Sequence, residues 1–166
     1  MDSSAVEHSE NKLSGHGRDG ILIRTMQKED IPAVAKLERR IFLKPWSEKS
    51  FLEAYSSEHN IYLVATTGEM IAGYCGIWVS FDTADLCNIA VAPEYRRRGI
   101  AEDILEEAVK RVKMHGVERI LLEVRESNQG ALCLYQKLGF GQIGTRRGYY
   151  SAPREDALLM QLSLSH

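Results

Sequence analysis

The chain has 166 residues, enough for one domain with a hydrophobic core, whereas two domains would be cramped. Its composition, 44% hydrophobic and 27% charged, is that of an ordinary globular protein, and a formal net charge of -2 argues against a dedicated nucleic-acid binder, because such domains are basic. No apolar run has the length of a membrane-spanning helix, and the N-terminus lacks the apolar core of a secretory signal peptide. The sequence therefore predicts a cytoplasmic protein that binds neither nucleic acid nor a membrane.

The three cysteines, Cys75, Cys87 and Cys133, are odd in number, well separated and embedded in apolar patterns. A disulfide framework or a zinc site would need paired cysteines at short spacings, so we expect three reduced, mostly buried thiols. Most histidines lie near the termini, and none shows metal-ligand spacing, so we expect no bound metal.

Residues 1–20 are polar and predict a flexible leader, which is followed by a single domain over residues 21–166. The first half of this domain contains two stretches with helical spacing of apolar residues and four strand-like runs. The predicted elements are a strand at 21–24, a helix at 31–41, a second helix capped by Ser47, a hairpin of strands at 61–65 and 70–79, and a strand at 84–91.

The clearest helix begins near Ala101 and ends at Gly116, with apolar residues on one face, acids early and bases late, as the helix dipole favours. The strand at 119–124 follows this crossover helix and should therefore pair in parallel with the strand at 84–91. A helix at 128–138 and strands at 140–149 and 157–164 complete the chain. The predicted fold is a mixed α/β sheet, largely antiparallel, with one central parallel pair of strands.

Residues 88–101 predict an apolar strand, a break, a basic loop and the start of a helix. Backbone N–H groups at a helix N-terminus have no partner inside the helix and carry the positive end of its dipole, so such a turn can bind an anion. Arg96, Arg97 and Arg98 add positive charge on a mildly acidic background, which suggests a small anionic ligand, and Gly99 allows the backbone to approach it closely. Taken alone, the loop is equally compatible with a connection that carries a few solvated arginines.

The order of strand, Arg-x-x-Gly-x-Ala loop (Arg96, Gly99, Ala101), helix, strand and helix resembles the GNAT superfamily of acetyl-CoA-dependent N-acetyltransferases. Between about Ile21 and the end, six blocks in the right order look like its RimI branch, the ribosomal-protein-alanine N-acetyltransferases. These blocks are Pro45-Trp46-Ser47-Glu48, Asn88-Ile89-Ala90-Val91, Leu122-Glu123-Val124-Arg125-x-Ser127-Asn128, Leu134-Tyr135-x-x-Leu138-Gly139-Phe140, Arg146-Arg147-x-Tyr149-Tyr150 and Arg154-Glu155-Asp156-Ala157. The resemblance implies helices on both faces of a sheet whose central parallel pair is splayed around acetyl-CoA. It also implies acetyl transfer to a protein N-terminal amine, most simply the alanine of a ribosomal protein.

Two positions depart from the family pattern. Ala101 stands where the family's loop usually has glycine, and its methyl group should be tolerated. The turn between Tyr150 and Arg154 is shorter than the family leads us to expect. That turn lies near the expected entry of the peptide substrate, so the departure bears on substrate preference more than on chemistry.

The resemblance implies the catalytic roles. Glu123 would be the general base, acting through a water, and Tyr135 the general acid towards the coenzyme sulfur. The strand pattern alone instead favours a salt-bridged or helix-capping acid at Glu123, and an apolar helix face usually places a tyrosine such as Tyr135 in the core. Direct attack without an acyl-enzyme is expected, because Cys133 lies beside no obvious histidine and no nucleophile-elbow motif is present.

The coenzyme contacts that the resemblance implies come mostly from the backbone. The Val91 N–H would receive the carbonyl oxygen of the acetyl group, while Asn128 would hydrogen-bond the pantetheine arm, cap its own helix, or do both. The residues expected along acetyl-CoA are Ile89, Ala90, Val91, Arg97, Arg98, Gly99, Ile100, Ala101, Glu102 and Asn128.

Three questions stay open on the sequence. Tyr149 and Tyr150, with Arg146 and Arg147, could shape the peptide channel or be ordinary sheet surface. The acceptor could be a lysine or a small amine instead of an N-terminus, although the higher pKa of lysine, about 10.4, would demand more of the base. The chain could also bind the coenzyme without catalysis.

Overall fold

A computed structural model of the protein describes residues 15–16 and 20–164. Within them, eight strands form one mixed sheet in the order β1-β2-β3-β4-β5-β6-β8-β7, in which β5 and β6 pair in parallel and the other neighbours pair antiparallel. No helix in these residues is both long and apolar enough to cross a lipid bilayer. The strands are β1 Gly15–His16, β2 Leu22–Thr25, β3 Asn60–Thr67, β4 Met70–Ser80, β5 Thr83–Val91, β6 Arg119–Arg125, β7 Gly141–Ser151 and β8 Arg154–Ser163. The helices are α1 Ile31–Ile41, α2 Glu48–Tyr55, α3 Ile100–Met114 and α4 Gln129–Lys137, with 3-10 turns at Lys28–Asp30 and Pro93–Tyr95.

The predicted fold class and elements are confirmed, with small changes at the ends of the elements. Helix α1 has the predicted bounds, and Ser47 caps α2 by accepting a hydrogen bond from the Ser50 N–H. Strands β3 and β4 form the predicted hairpin, and β5 and β6 form the predicted parallel pair. Gly15 and His16, which fall in the predicted leader, form the edge strand β1 on β2, whereas residues 1–14 and 17–19 lie outside the described part of the chain.

Each face of the sheet has its own core. Helices α3 and α4 cover one face, where Ile104 and Tyr135 belong to a large apolar cluster, and α1 and α2 cover the other, where Phe51 belongs to a second cluster. Because successive side chains of a strand point to opposite faces, neighbours in β3 separate: Leu63 enters the first cluster and Val64 the second. The two sides are called here the α3/α4 face and the α1/α2 face.

The central parallel pair is short. Strands β5 and β6 pair at Thr83–Arg119, Ala84–Ile120 and Asp85–Leu121, and no further pair follows in either described strand. Beyond these pairs, β5 stays bound to β4 as far as Val91, and β6 stays bound to β8 as far as Arg125. The sheet therefore opens between Leu86–Val91 of β5 and Leu122–Arg125 of β6, and this opening is called the cleft.

The prediction of mostly buried thiols is wrong. Only Cys75 is buried, and Cys87 and Cys133 are exposed, although all three are free thiols. Cys87 is the extra residue of a β-bulge, because Gly76 of β4 pairs with Asn88 while the next residue, Ile77, pairs with Leu86. The bulge breaks the alternation that the apolar pattern of β5 had suggested.

A pair of glycine substitutions tests the close packing at Gly76 on the α1/α2 face, with Gly130 of α4 as a control in open space. A Cβ added at Gly76 would lie 2.3 Å from the buried ring of Tyr62, so we expect Gly76→Ala to destabilise the protein by about 1–3 kcal/mol through overpacking. Gly130 lies in α4 with open space around its Cβ position, so Gly130→Ala should instead stabilise the protein by about 0.4–1 kcal/mol. Urea unfolding of the two variants measures both, and equal effects of the same sign would contradict this description of the packing.

Candidate active site

Two backbone N–H groups of β5 point into the cleft. The Ala92 N–H donates to the Ala72 carbonyl of β4 at 2.8 Å. Because the direction of the N–H groups alternates along a strand, the Ala90 N–H also faces β4, whereas those of Ile89 and Val91 face the cleft. On that side the Val91 carbonyl accepts a hydrogen bond from Arg96 Nε at 3.2 Å. Since β6 has separated here, Ile89 and Val91 offer donors to a ligand, and their side chains pack against the α3/α4 core.

The loop after β5 forms a concave backbone surface in front of α3. Arg97 and Gly99 both have left-handed backbone angles, with φ of 64° and 75°, and Gly99 is the residue from which α3 starts. The first helical hydrogen bond runs from the Asp103 N–H to the Gly99 carbonyl at 3.0 Å, so the N–H groups of Ile100 and Ala101 have no acceptor within the helix. Successive N–H groups in such turns form anion-binding concavities, which fits the predicted seat for a phosphate.

The side chains of the loop before α3 lie on its outer surface. Arg97 and Arg98 are exposed, and the Arg98 guanidinium lies over the ring of Tyr95, 5.4 Å from its centroid. Glu102, in the first turn of α3, forms an ion pair of 2.9 Å with Lys137 of α4 and so ties the two helices together at the mouth of the cleft. The arginines therefore line the rim, while the backbone forms the concave surface.

Glu123 lies on β6 and faces the α1/α2 side. Its strand neighbours Leu122 and Val124 enter the α3/α4 core, so alternation sends the Glu123 side chain to the opposite face, where it is 29% exposed. There its Oε1 forms an ion pair of 3.2 Å with Arg146 Nε. A hydrogen bond with the same carboxylate is the main reason why the pKa of Tyr149 is raised. The salt-bridged acid that the strand pattern alone favoured is therefore present, at the edge of the cleft.

Tyr135 lies on the other face. It is buried on α4 within the α3/α4 core, and its ring packs against Phe140 with 5.7 Å between the centroids. Burial is the largest of the causes that raise the pKa of its phenol to about 12, followed by the charges of Tyr150 and Cys75. Tyr135 is thus both the core aromatic that its helix face predicted and a phenol that keeps its proton at neutral pH.

Asn128 is the N-cap of α4. Its Oδ1 accepts a hydrogen bond from the Ala131 N–H at 3.2 Å, so the capping role is confirmed. The residue is exposed and begins the helix that carries Tyr135. The cap uses only the side-chain oxygen of Asn128, so a contact with the coenzyme would use its side-chain NH2 group.

The hairpin of β7 and β8 forms a wall beside Glu123, and its anchoring was missed on the sequence. Arg125, at the end of β6, donates to the carbonyls of Pro153 and Ala152 at 3.1 and 3.4 Å, and its guanidinium lies 4.1 Å from the centroid of the Tyr150 ring. Lys44, in the loop between α1 and α2, reaches across to the Ser151 hydroxyl at 3.3 Å. Arg125 and Tyr150 occur in the sequence blocks that carry the resemblance, so the signal was present although their roles were not assigned.

Within residues 15–16 and 20–164, no three side chains of His, Cys, Asp or Glu come together as metal ligands would. The polar groups beside the cleft are the backbone N–H donors of β5 and the Glu123 carboxylate, which is an acceptor, and Tyr135 adds a buried phenol in the α3/α4 core. Such a set can bind an acyl carbonyl and an anionic tail, accept a proton on one side and supply one on the other.

Comparisons with known proteins agree with this geometry. The model of the acetyltransferase (GNAT) family matches residues 31–140. The [ribosomal protein bS18]-alanine N-acetyltransferase of Escherichia coli K12 is 37% identical over 145 residues, which cover 86% of this chain and 97% of that protein. A Bacillus subtilis protein, whose name carries the same activity as a provisional assignment, is 40% identical over 144 residues, or 86% of this chain and 95% of that protein.

Solved structures show the same fold. The crystal structure of the Escherichia coli ribosomal-protein-S18-alanine N-acetyltransferase superimposes with a TM-score of 0.82 at 36% identity, covering 88% of this chain and 95% of that one. Arabidopsis thaliana NAA60 in complex with acetyl-CoA, at 18% identity, shares the fold with a TM-score of 0.80 over 87% of this chain and 99% of that one. This chain belongs to the GNAT family of acetyltransferases and is of the RimI type.

Proposed function

We propose that this protein transfers the acetyl group of acetyl-CoA to the N-terminal α-amine of a protein, with the N-terminal alanine of a ribosomal protein as the first candidate. The observation that carries the proposal is the cleft, which brings backbone donors of β5 between Glu123 on one face and Tyr135 on the other. The bS18-alanine acetyltransferases align with this chain over almost their whole length, which supports the same substrate class here.

Acetyl-CoA would bind along β5 and its following loop. The Ile89 and Val91 N–H groups suit the thioester end and the pantetheine arm, and the N–H groups from Arg97 to Glu102 suit the pyrophosphate. The Asn128 amide would hydrogen-bond the pantetheine arm from the other side of the cleft. The methyl group of Ala101 lies in the first turn of α3 and leaves the backbone of that turn free to approach the phosphates.

Of the two cleft-facing N–H groups, that of Ile89 lies nearer to Glu123. Extending the Asp85–Leu121 register by two residues along each strand brings Glu123 level with the bulge at Cys87, and Val91 is farther along β5 than Ile89. We therefore assign the carbonyl oxygen of the acetyl group to the Ile89 N–H and give the Val91 N–H, which the sequence suggested for that role, to the pantetheine arm.

The reaction would proceed by direct attack. An N-terminal amine has a pKa of about 7.7–8, so near neutral pH a proton must be lost before the nitrogen can attack, and Glu123 would accept it through a water. The C–N bond forms as the carbonyl carbon becomes tetrahedral, and its oxygen is held by the Ile89 N–H. As the carbonyl re-forms, the C–S bond breaks and its electron pair goes to the sulfur, which takes a proton from Tyr135 and leaves as the thiol of coenzyme A. The proton that the nitrogen loses on becoming an amide restores the phenol.

Tyr135 would assist the leaving sulfur mainly as a hydrogen-bond donor. With a pKa of about 12, its phenol would give up a proton to a thiolate of ordinary basicity, with a pKa of about 8.5, only against a free-energy gradient. A sulfur that develops charge beside the same buried phenol is more basic than in water, because burial disfavours its charged form too. The shared burial brings the two pKa values closer, and the transfer is completed as the thiol departs.

A peptide panel tests the function. With acetyl-CoA and this protein, mass spectrometry should show one added acetyl group on the α-amine of a bS18 N-terminal peptide that begins with alanine. The same peptide with a blocked N-terminus and an added lysine is the control and should stay unmodified. Preference for the lysine side chain would replace the proposal by lysine acetylation, and no turnover on any amine would favour a coenzyme-binding module.

Two substitutions test the catalytic roles. Glu123→Gln removes the proton acceptor and Tyr135→Phe removes the hydroxyl donor, so each should lower kcat by roughly a hundredfold or more while the affinity for acetyl-CoA changes little. Glu118→Gln and Tyr55→Phe make the same chemical changes away from the cleft and should leave kcat unchanged. Unchanged turnover in both site variants would refute the assignment of the residues.

A matched pair of glycines tests the phosphate seat. Gly99 and Gly116 have similar left-handed φ angles of 75° and 78°, at opposite ends of α3, so alanine at either position costs roughly 1–2 kcal/mol of backbone strain. Only Gly99 lies in the concave loop, and we expect Gly99→Ala to raise the KM for acetyl-CoA several-fold, whereas Gly116→Ala lowers stability alone. Steady-state kinetics with thermal melting separates the two effects, and an equal KM in both variants would rule out the loop as the coenzyme seat.

A further inference from the structure

Asp85 faces the same side of the sheet as Glu123. Asp85 is the last residue of β5 that pairs with β6, opposite Leu121, and its neighbour Ala84 enters the α3/α4 core together with Ile120. Alternation therefore directs Asp85 to the α1/α2 face, and Glu123 follows two residues after Leu121 on that same face. The two carboxylates come from neighbouring strands at the closed end of the cleft.

The charge of Asp85 is not compensated by the protein. Arg146 pairs with Glu123, whereas no Lys, Arg or His lies within ion-pair distance of Asp85 in the described part of the chain. Burial, and then the charge of Glu123, raise the pKa of Asp85. The Cys87 side chain, although exposed, is a neutral thiol, because partial desolvation of its sulfur and the charges of Asp85 and Glu123 raise its pKa to about 11. Asp85 is exposed, so water solvates its carboxylate, and a cation that binds there would also relieve its repulsion with Glu123.

An oriented aromatic ring lies beside Asp85. Trp78 of β4 is the register partner of Asp85, so the two side chains leave the same face of the sheet about 4.5–5.5 Å apart at Cβ. The indole Nε1 donates to the Tyr62 hydroxyl at 3.1 Å, and the ring packs against Trp46 with 5.9 Å between centroids. Although both contacts fix the ring, Trp78 remains 40% exposed. A carboxylate next to a fixed, accessible indole is a combination that binds organic cations.

We propose that Asp85 and the Trp78 ring bind the positive charge of the acetyl acceptor. The inference rests on the proposed function and adds to it the part of the acceptor that this corner recognises. The cation is either the α-ammonium before it loses its proton or the first basic side chain behind it. Three residue steps along the strand separate Ile89 from Asp85 when the bulged Cys87 is not counted, a distance of about 10 Å. An acceptor whose amine lies at Ile89 can cover this distance with one extended residue and its long side chain.

Kinetics of Asp85→Asn on two alanine-initiated peptides, one with and one without basic residues, tests this proposal. We expect the KM for the peptide to rise about tenfold, the loss of one ion pair of about 1.4 kcal/mol, while the KM for acetyl-CoA stays the same and kcat changes less. Asp85→Glu should recover part of the affinity. Asp82→Asn, in the turn between β4 and β5, makes the same charge change three residues away and should behave as the wild type.

Thermal stability distinguishes recognition from a structural role. Because Asp85 faces another carboxylate, Asp85→Asn should leave the Tm unchanged or raise it, although the peptide binds less well. A higher KM on both peptides identifies the α-ammonium as the bound cation, and a higher KM on the basic peptide alone identifies a side chain.

An unchanged KM on both peptides would overturn the inference. If the wild type acetylates neither peptide, the proposed function fails on its own. Calorimetric binding of the two peptides to the wild type and to Asp85→Asn in the presence of coenzyme A then still decides the role of Asp85, since weaker binding to the variant supports it and equal binding refutes it.

Discussion

The site depends on one interruption of the sheet, the separation of β5 from β6 after three parallel pairs. Each strand keeps its outer neighbour, so the sheet opens without losing its cores. The opening leaves backbone donors of β5 without a strand partner, and an unsatisfied donor costs about 1–3 kcal/mol when buried. A ligand that offers acceptors recovers this free energy. Because β5 continues directly into the loop before α3, the same ligand can reach the helix N-terminus with its phosphates.

The two faces of the sheet divide the chemistry. The α1/α2 face carries Glu123 and Asp85, acids that are partly accessible to water, and the α3/α4 face carries Tyr135, which is buried and neutral. In the proposed mechanism the proton acceptor, Glu123, needs its negative charge and the proton donor, Tyr135, needs its proton, and the two environments suit these different needs. The cleft is where the two faces meet. The β7–β8 hairpin, held by Arg125, closes the side from which a peptide would approach Glu123.

Local features of the sequence predicted most of the fold. The bounds of α1, the caps at Ser47 and Asn128 and the parallel pair follow from short-range periodicity, capping and the handedness of crossovers. Features that depend on contacts between distant segments were not predictable in this way. These are the insertion of β8 between β6 and β7, the pairing of Arg146 with Glu123, and the exposure of Cys87 at a bulge. The backbone roles proposed for the cleft came from the family resemblance, because apolar residues such as Ile89 and Val91 carry no chemical signal in their side chains.

Amide hydrogen exchange measured by NMR, with and without coenzyme A, tests the central claim most directly. If the coenzyme binds along the cleft edge of β5, it should slow exchange at the Ile89 and Val91 N–H groups. The N–H groups of Ala90 and Ala92, which face β4, should exchange equally slowly in the free and bound protein. Unchanged exchange at Ile89 and Val91 on coenzyme binding, or equal slowing at all four residues, would contradict the account.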